Sequence, residues 1–587
     1  MSETMTRHAH TGGGTSSPAA PDGAAGGSGL GPEHARGAPI VPRAVPSLLE
    51  DSAQRFPDRP YLDFLGKKYT YAEVLDLVNR AAQGFQQLGV GPGVRVGLCL
   101  PNSPYFTICY FAVLKAGGTV VNYNPLYVER ELAYQINDSG TRLMVTLDLK
   151  QIYPKVAACL ESTCLERVVV CTMTGILPGV KSLLFSVLKR SEMADVPDDL
   201  RHIPFDKLVA NAGKPARAPI SPKSDVAVLQ YTGGTTGVPK GAMLTHANIT
   251  ANCEQLRRAV PMLKDGEERM MAVLPFFHVF AMTVAQNLAT QMGAEIVLLP
   301  RFELGQLMKC ISRKRPTMFP GVPTIYTAIN NAPDLSKHDM TSLKVCISGG
   351  APLPVEVKKR FEELTGCSLV EGYGLTESSP VATCNPIGGL VKSGSIGLPL
   401  EGTEVVIRNL EEPHDPMPRG ERGELTIKGP QVMAGYWKRP DETAKTLPDG
   451  WLRTGDVGYV DEDGYIFLVD RIKDVIIAGG FNVYPRAIEE ALYLHPAVAE
   501  CICIGIPDDY RGQAPKCFVT LRDGTDASPA ELRDFLHDKI SRIEIPKAIE
   551  IRDTLPKTMV GKLSRKELVA EEEAARKAAS GGSAGAS

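Results

Sequence analysis

The densest set of phosphate-handling residues in the sequence is Tyr231-Thr232-Gly233-Gly234-Thr235-Thr236-Gly237-Val238-Pro239-Lys240-Gly241, which follows the apolar strand candidate Val226 to Leu229 with only Gln230 between. Glycines let a loop turn tightly and bring backbone N–H groups up to phosphate oxygens, while hydroxyls and a lysine add donors and charge. The physical reading is a triphosphate clamp made by Thr232, Gly233, Gly234, Thr235, Thr236, Gly237 and Lys240. A Walker loop is a poor match. It needs Gly directly before its Lys and Ser or Thr directly after, and Lys240 stands between Pro239 and Gly241. A Gly/Thr-rich surface turn would account for the glycines but not for this density of hydroxyls and the ordered lysine.

Other residues suit the same task. Glu377, beside Thr376, can hold the Mg²⁺ that neutralises an ATP triphosphate, because Mg²⁺ takes only one or two protein carboxylates and keeps waters. Taken singly, a Thr-Glu pair is more often a surface turn. Asp456, behind the Thr454-Gly455 turn, is suited to accept hydrogen bonds from both hydroxyls of a ribose, as an isolated carboxylate can.

Further blocks follow in chain order: Ser348-Gly349-Gly350-Ala351-Pro352-Leu353, Glu371-Gly372-Tyr373-Gly374-Leu375-Thr376-Glu377, Gly435-Tyr436-Trp437, Trp451-Leu452-Arg453-Thr454-Gly455-Asp456, Asp470-Arg471-Ile472-Lys473-Asp474 and Pro556-Lys557-Thr558-Met559-Val560-Gly561-Lys562. With the clamp, they resemble the adenylate-forming superfamily of acyl-CoA synthetases, firefly-type luciferases and peptide-synthetase adenylation domains, over roughly Leu48 to Val569. The resemblance implies an enzyme that activates a carboxylate with ATP and Mg²⁺ as its acyl adenylate and then transfers the acyl group to coenzyme A. The continuations Gly241-Ala242-Met243-Leu244-Thr245-His246, Ser378-Ser379-Pro380, Gly429-Pro430-Gln431-Val432-Met433 and Gly480-Phe481-Asn482-Val483-Tyr484-Pro485 look most like bacterial long-chain fatty-acyl-CoA synthetases. A fatty acid is therefore the expected partner, with a medium-chain or aryl acid as the alternative.

The resemblance also implies roles. Glu377 would be the metal ligand, with Thr232 the second candidate. Gly349, Gly350 and Ala351 would meet the adenine edge and Tyr373 its face, and Glu371, Gly372 and Thr376 belong to the same nucleotide-binding block. Arg471 would touch ribose or phosphates. Lys562 would serve the first half-reaction: carboxylate attack on the α-phosphorus builds negative charge in an in-line transition state, which a lysine at the bridging oxygens offsets. The plain alternative is an exposed tail lysine. Lys562 and the clamp fall on different domains, so closure must assemble the site, and Lys473 takes the family's hinge position. In a second closed form the face bearing Gly479, Gly480 and Phe481 would meet CoA. His278, in Pro275-Phe276-Phe277-His278-Val279-Phe280, falls at the acyl-pocket wall, where a gating role and a satisfied core histidine are both open. One departure matters: Ile477 stands where several relatives carry a basic residue, so that contact is not carried over. A peptide-synthetase adenylation domain would share the ATP blocks, but no carrier-domain serine motif follows Lys562. A non-catalytic nucleotide sensor would be expected to lose Lys562 or Glu377, and both are present.

The elements that must position these residues are legible in outline. From Tyr71 the pattern alternates helix with short apolar strand: helix to Leu88, strand Arg95 to Leu100, helix Ser103 to Ala116, then Thr119-Val120-Val121. Asp225 to Leu229, Ala294 to Leu299 and Leu343 to Ser348 are further strand candidates. This alternation predicts an α/β fold with a mostly parallel, doubly wound sheet. After Gly394 short alternating strands, Glu404 to Arg408 and Glu424 to Lys428, predict an antiparallel β section. The expected order is a Gly/Ala/Ser-rich leader over 1–44, a large multi-subdomain N-terminal domain over 45–470, a small mobile C-terminal α+β domain over 471–569 and a tail over 570–587.

Composition narrows the partners. A chain of 587 residues is too long for one core, and Lys+Arg 64 against Asp+Glu 67 leaves no basic excess for nucleic acid. The 13 cysteines show no zinc-ligand spacing and read as reduced thiols. No stretch approaches the ~18 apolar residues of a membrane span. The expected location is cytoplasmic, peripheral to the inner face of the membrane at most, and the oligomeric state is left open, a homodimer included. A last segment, Ile176 to Arg190, places Leu177, Val180, Leu184 and Leu188 at helical spacing, widened by Phe185 and Val187, among Lys181, Lys189 and Arg190 and without acidic residues. It suits either a bilayer headgroup region or an ordinary packed helix.

Overall fold

Strands buried on both faces, such as Leu143–Leu147, are the mark of parallel sheets covered by helices on each side. The structure is a computed structural model and describes residues 37–232, 239–410, 415–479, 481–508, 510–558 and 561–581. Gly233, Gly234, Thr235, Thr236 and Gly237 of the clamp, Gly480, residues 1–36 of the expected leader and 582–587 of the tail lie outside the described residues.

The N-terminal alternation builds one sheet of seven strands. Arg95–Cys99, Thr119–Asn122, Leu143–Leu147, Arg167–Cys171 and His202–Pro204 run parallel, and Val226–Thr232 joins them beside Thr119–Asn122. Lys240–Thr245 closes one edge antiparallel to Val226–Thr232, so the clamp is the connection between two hydrogen-bonded strands. A second sheet has thirteen strands. Its parallel centre runs through Glu295–Leu298, Arg269–Ala272, Met318–Gly321, Val345–Gly349 and Ser368–Gly374. From Ser368–Gly374 onward the pairing turns antiparallel, through Val381–Cys384 and Ser395–Pro399 to Ile466–Arg471, Leu452–Val460, Gly423–Lys428 and Glu404–Arg408. The antiparallel section expected after Gly394 is thus an extension of the α/β sheet. The single doubly wound sheet of the sequence reading becomes two, because periodicity reveals strands but not which of them pair.

The two large sheets share one apolar core that includes Phe85, Phe111, Leu256 and Phe276. A five-stranded sheet holds the C-terminal part, with the long antiparallel pair Val498–Asp508 and Gly512–Leu521 at its centre. It packs on its own core, with Ile488, Leu492, Val519 and Leu532. A large N-terminal and a small C-terminal domain follow. The last helix, Arg565–Gly581, continues past residue 569 and is tied back by Glu571 to Arg552 and by Glu572 to Lys516. All 13 cysteines are free thiols.

The segment Ile176 to Arg190 divides. Ile176 and Leu177 are buried ahead of the helix Gly179–Leu188, and Phe185 packs on the core. Val180, Leu183, Leu184, Val187 and Leu188 are instead between 51% and 76% exposed. The stripe therefore points outward, and Leu177 and Phe185 do not belong to its exposed face.

One buried amide fixes the turn that carries Glu377. Asn252, fully buried on the helix His246–Ala259, donates from Nδ2 to the carbonyl of Val381 at 2.7 Å and accepts from the Val381 N–H at 3.0 Å. Val381 opens the strand that follows the Thr376–Ser378 turn. Asn252→Ala strands both backbone groups, and we expect a loss on the order of 2–4 kcal/mol in urea unfolding. A loss below about 1 kcal/mol would mean that water replaces the amide.

Candidate active site

The parallel strands Val345–Gly349 and Ser368–Gly374 run in register, Ser348 beside Glu371 and Gly349 beside Gly372. Their carboxyl ends open onto the cleft between the domains, the usual place for a ligand in an α/β sheet. The large domain lines this cleft with Gly350, Ala351, Glu371, Gly372, Tyr373 and Asp456. Arg471, Lys473 and Lys562 line it as well.

Asp456 lies on Leu452–Val460 opposite Arg471 on the next strand. Its Oδ2 accepts from the Tyr373 hydroxyl at 2.6 Å, and its Oδ1 meets the Arg471 guanidinium at 3.0 Å. Asp456 is not the isolated carboxylate of the sequence reading. Each oxygen keeps a further lone pair, so hydroxyl groups can still be accepted, now by a carboxylate locked in orientation. Burial pushes the Tyr373 hydroxyl well above its ordinary range, with the Asp456 charge acting the same way, so it remains a donor. Burial also pushes the Glu371 carboxyl up to about 7, against the pull of the Arg486 guanidinium.

Lys562 belongs to a tight turn. The Thr558 N–H donates to the Lys562 carbonyl at 2.6 Å and the Lys562 N–H donates to the Thr558 hydroxyl at 3.1 Å, while Lys557 pairs with Glu500 at 2.7 Å. The side chain crosses the cleft to Gly350. A Cβ at Gly350 would lie 2.2 Å from Lys562 Cε, a contact the flexible lysine could relieve, but Gly350 has φ +83°, and that left-handed backbone favours glycine. Burial lowers the ammonium to about 8, helped by the Arg471 charge and opposed by Asp456.

His278 stands close enough to feel that charge. Burial holds its imidazole at about 3, with Lys562 acting in the same direction, so the ring is neutral. Its Nδ1 accepts from the Phe280 N–H at 3.3 Å, and the Phe280 ring faces Gly349. The segment is pinned from outside, as Gln230 donates to the Phe277 carbonyl at 2.8 Å and Asn102 accepts from the Phe276 N–H at 2.8 Å.

Glu377 sits apart from the cleft lining, half-buried on the Thr376–Ser378 turn. Its Oε1 accepts from the Tyr436 hydroxyl at 2.7 Å and its backbone carbonyl from the Met433 N–H at 2.8 Å. Thr232 is paired with Lys240 across the adjoining strands. Among the described residues no cluster of three or more His, Cys, Asp or Glu ligands exists. A divalent ion held here would draw most of its oxygens from phosphate and water, which suits Mg²⁺. Lys240 does not line the cleft: its ammonium pairs with Glu442 and lies 5.5 Å from the centre of the Tyr436 ring. Tyr436, the partner of both Glu377 and Lys240, stands inside the Gly435-Tyr436-Trp437 block without a role having been read for it.

Lys473 is on the Ile472–Asp474 turn, between two anchored carboxylates. Asp470 accepts from the Arg486 N–H at 2.8 Å, and Asp474 pairs with Arg565 at 3.3 Å. Burial lowers the Lys473 ammonium. Gly479 and the 64% exposed Phe481 do not line the cleft, and neither does Ile477. In this arrangement Lys562 is in the site and the face expected to meet CoA is outside it.

Residues 49–437 match the AMP-binding enzyme family, and residues 487–562 match the AMP-binding enzyme C-terminal domain. The long-chain-fatty-acid--CoA ligase of Bacillus subtilis (strain 168) is 44% identical over 91% of this chain and 95% of that protein. The protein of the same name from Yersinia pestis is 39% identical over 89% and 94%. Among solved structures, ATP-bound MatB from Rhodopseudomonas palustris superposes with a TM-score of 0.78 at 28% identity, covering 89% of this chain and 98% of that one. The cleft that brings Lys562 to Gly350 is therefore the cleft of an AMP-binding enzyme, and the chain belongs to that family.

Proposed function

We propose that the protein is an AMP-forming long-chain fatty acid:CoA ligase. The observation that carries the chemistry is the Lys562 side chain reaching Gly350 in the cleft, where its ammonium feels the Asp456–Arg471 pair. The long-chain substrate rests on likeness to relatives of that name at 39–44% identity. In the first step a fatty-acid carboxylate oxygen attacks the α-phosphorus of ATP, the bond to the β-phosphate oxygen breaks and pyrophosphate leaves. Lys562 supplies positive charge where negative charge builds. Gly350, Ala351 and Tyr373 hold the adenosine end and Asp456 the ribose. Glu377, with Thr232 second, would hold the Mg²⁺, which when bound neutralises triphosphate charge. In the second step the CoA thiolate attacks the acyl carbon and AMP leaves. For that step Lys473 acts as hinge, Lys562 withdraws and the face with Gly479, Gly480 and Phe481 turns inward.

The direct test is pyrophosphate release with a panel of acids, with and without CoA. We expect long-chain fatty acids to give the highest kcat/KM and CoA to be required for turnover. A preference for aryl or medium-chain acids would move the substrate assignment and leave the chemistry standing.

Lys562→Ala should lower adenylate formation by about a hundredfold or more, the usual worth of a transition-state charge donor, and leave thioester formation from a supplied acyl adenylate largely intact. Because the ammonium is needed charged and burial lowers it to about 8, kcat/KM for ATP should fall as pH rises through that value. In the alanine variant this descending limb should vanish. Equal loss in both half-reactions rejects the role.

The outward stripe of Gly179–Leu188 supports a membrane contact for a ligase of amphiphilic acids. Val180, Leu183, Leu184, Val187 and Leu188 face outward, and Ile176 to Arg190 carries three cations and no acid, as suits a headgroup layer with anionic lipid. Among the described residues no helix is long and apolar enough to cross a membrane. Leu183→Ser with Leu184→Ser should reduce co-sedimentation with anionic vesicles and leave activity on medium-chain acids unchanged. Unaltered vesicle binding rejects the contact, and a dimer that dissociates on substitution would identify a face for a second copy.

A further inference from the structure

Away from the hinge, the Lys562 turn meets the large domain through a hydroxyl. Thr324 Oγ1 donates to the carbonyl of Gly561, the residue directly before Lys562, at 2.8 Å. Thr324 is the second residue of the helix Pro323–Asn330, which leaves the end of the central strand Met318–Gly321. Its place frees the hydroxyl. Thr327, one turn later, donates back to the Pro323 carbonyl at 2.9 Å, as threonines inside helices do, whereas the residue four before Thr324 lies outside the helix. The approach is close, for a Cβ at Gly561 would lie 3.1 Å from Thr324 Oγ1 and 3.3 Å from Val322 Cγ2.

On the small-domain side the described ends of the turn are tied together. Thr558 grips both backbone groups of Lys562, and Lys557 pairs with Glu500 on the strand Val498–Asp508. What remains is where these ends land on the large domain. A displacement of about 1 Å at a reacting centre costs on the order of a hundredfold in rate, and the Lys562 side chain reaches the cleft beside Gly350. The landing point is therefore specified at Gly561. A neutral hydrogen bond suits a contact that must also break, since an ion pair buried here would hold the domains in one arrangement.

We propose that Thr324 is a positioning residue for adenylate formation: its hydroxyl latches the Lys562 turn onto the large domain and lets go before acyl transfer to CoA. This rests on the reading of Lys562 as the residue of the first half-reaction. Thr324→Val removes the donor and keeps the shape. Single-turnover pyrophosphate release from ATP and fatty acid should slow about five- to tenfold, the factor carried by one net hydrogen bond, with little change in KM for ATP. Thioester formation from a supplied acyl adenylate should be unchanged or faster, and Thr324→Ser should restore adenylation. In a Lys562→Ala background, Thr324→Val should slow adenylation no further, because the latch acts only through the lysine.

Equal slowing of both half-reactions, no slowing of either, or failure of serine to rescue would each overturn the latch. If Thr324→Val lowers the thermal midpoint, Thr324→Ala carries the same comparison. Lys562→Ala with full adenylation activity would sink the reading of the lysine. Loss of activity in Lys562→Ala together with a silent Thr324→Val would sink the latch alone.

Discussion

A lysine side chain laid beside a glycine in the cleft between two domains is the constraint on which the other features depend. Water solvates an exposed ammonium well and the closed cleft does not, so Lys562 drops from its ordinary value of 10.5 to about 8. That shift corresponds to an opposing free energy on the order of 3 kcal/mol. The cleft recovers part of it through Asp456, but Asp456 is shared with Arg471 and takes a hydrogen bond from Tyr373. The arrangement is therefore held short of full charge compensation. A triphosphate supplies the missing negative charge, and its arrival raises the ammonium again.

Around Lys473, the proposed hinge, one arginine gathers three carboxylates. Arg565, three residues after Lys562, pairs with Glu489 at 2.6 Å and Asp474 at 3.3 Å and lies 3.9 Å from Asp470. Asp474 and Glu489 are on the small-domain side of Lys473, and Asp470 is on the other side. Were the small domain to rotate at Lys473, as proposed, the two shorter contacts would be kept and only the longest given up, so the arginine would travel with its charge still paired.

The sequence carried the strands and helices that position the site to within a residue or two at most ends, because short apolar runs and helical spacing are local signals. Thr119–Asn122 and Glu404–Arg408 are instances. It also marked Asp456, Glu377 and Lys562, whose surroundings are recognisable blocks. It did not reveal that Tyr373 donates to Asp456, because the residues are 83 apart and sit on strands that are not neighbours in the sheet. Nor did it reveal that Lys240, on a strand, meets Glu442, on the helix Pro440–Thr446. Thr324 carries no local signal either: a threonine just after a proline at a helix start looks the same whether its hydroxyl meets water or another domain. In Ile176 to Arg190 the spacing predicted an apolar stripe but not its direction, and Phe185 and Leu183, two positions apart, ended on opposite sides.

The neutral His278 completes the electrostatic argument. A histidine at its ordinary value would be partly charged near neutral pH, and a second cation beside Lys562 would depress the ammonium further. Burial removes that competitor by holding the imidazole at about 3, and the hydrogen bond from the Phe280 N–H to Nδ1 leaves the ring proton on Nε2. At the acyl-pocket wall, where the family resemblance would put it, a neutral donor would orient an incoming carboxylate by hydrogen bonding without neutralising it. The carboxylate keeps its negative charge, and with it its nucleophilicity. The full attraction of a cation is then met at the phosphate, where charge develops in the transition state, and not at the acid, where it is already present in the ground state. Only the former lowers the barrier.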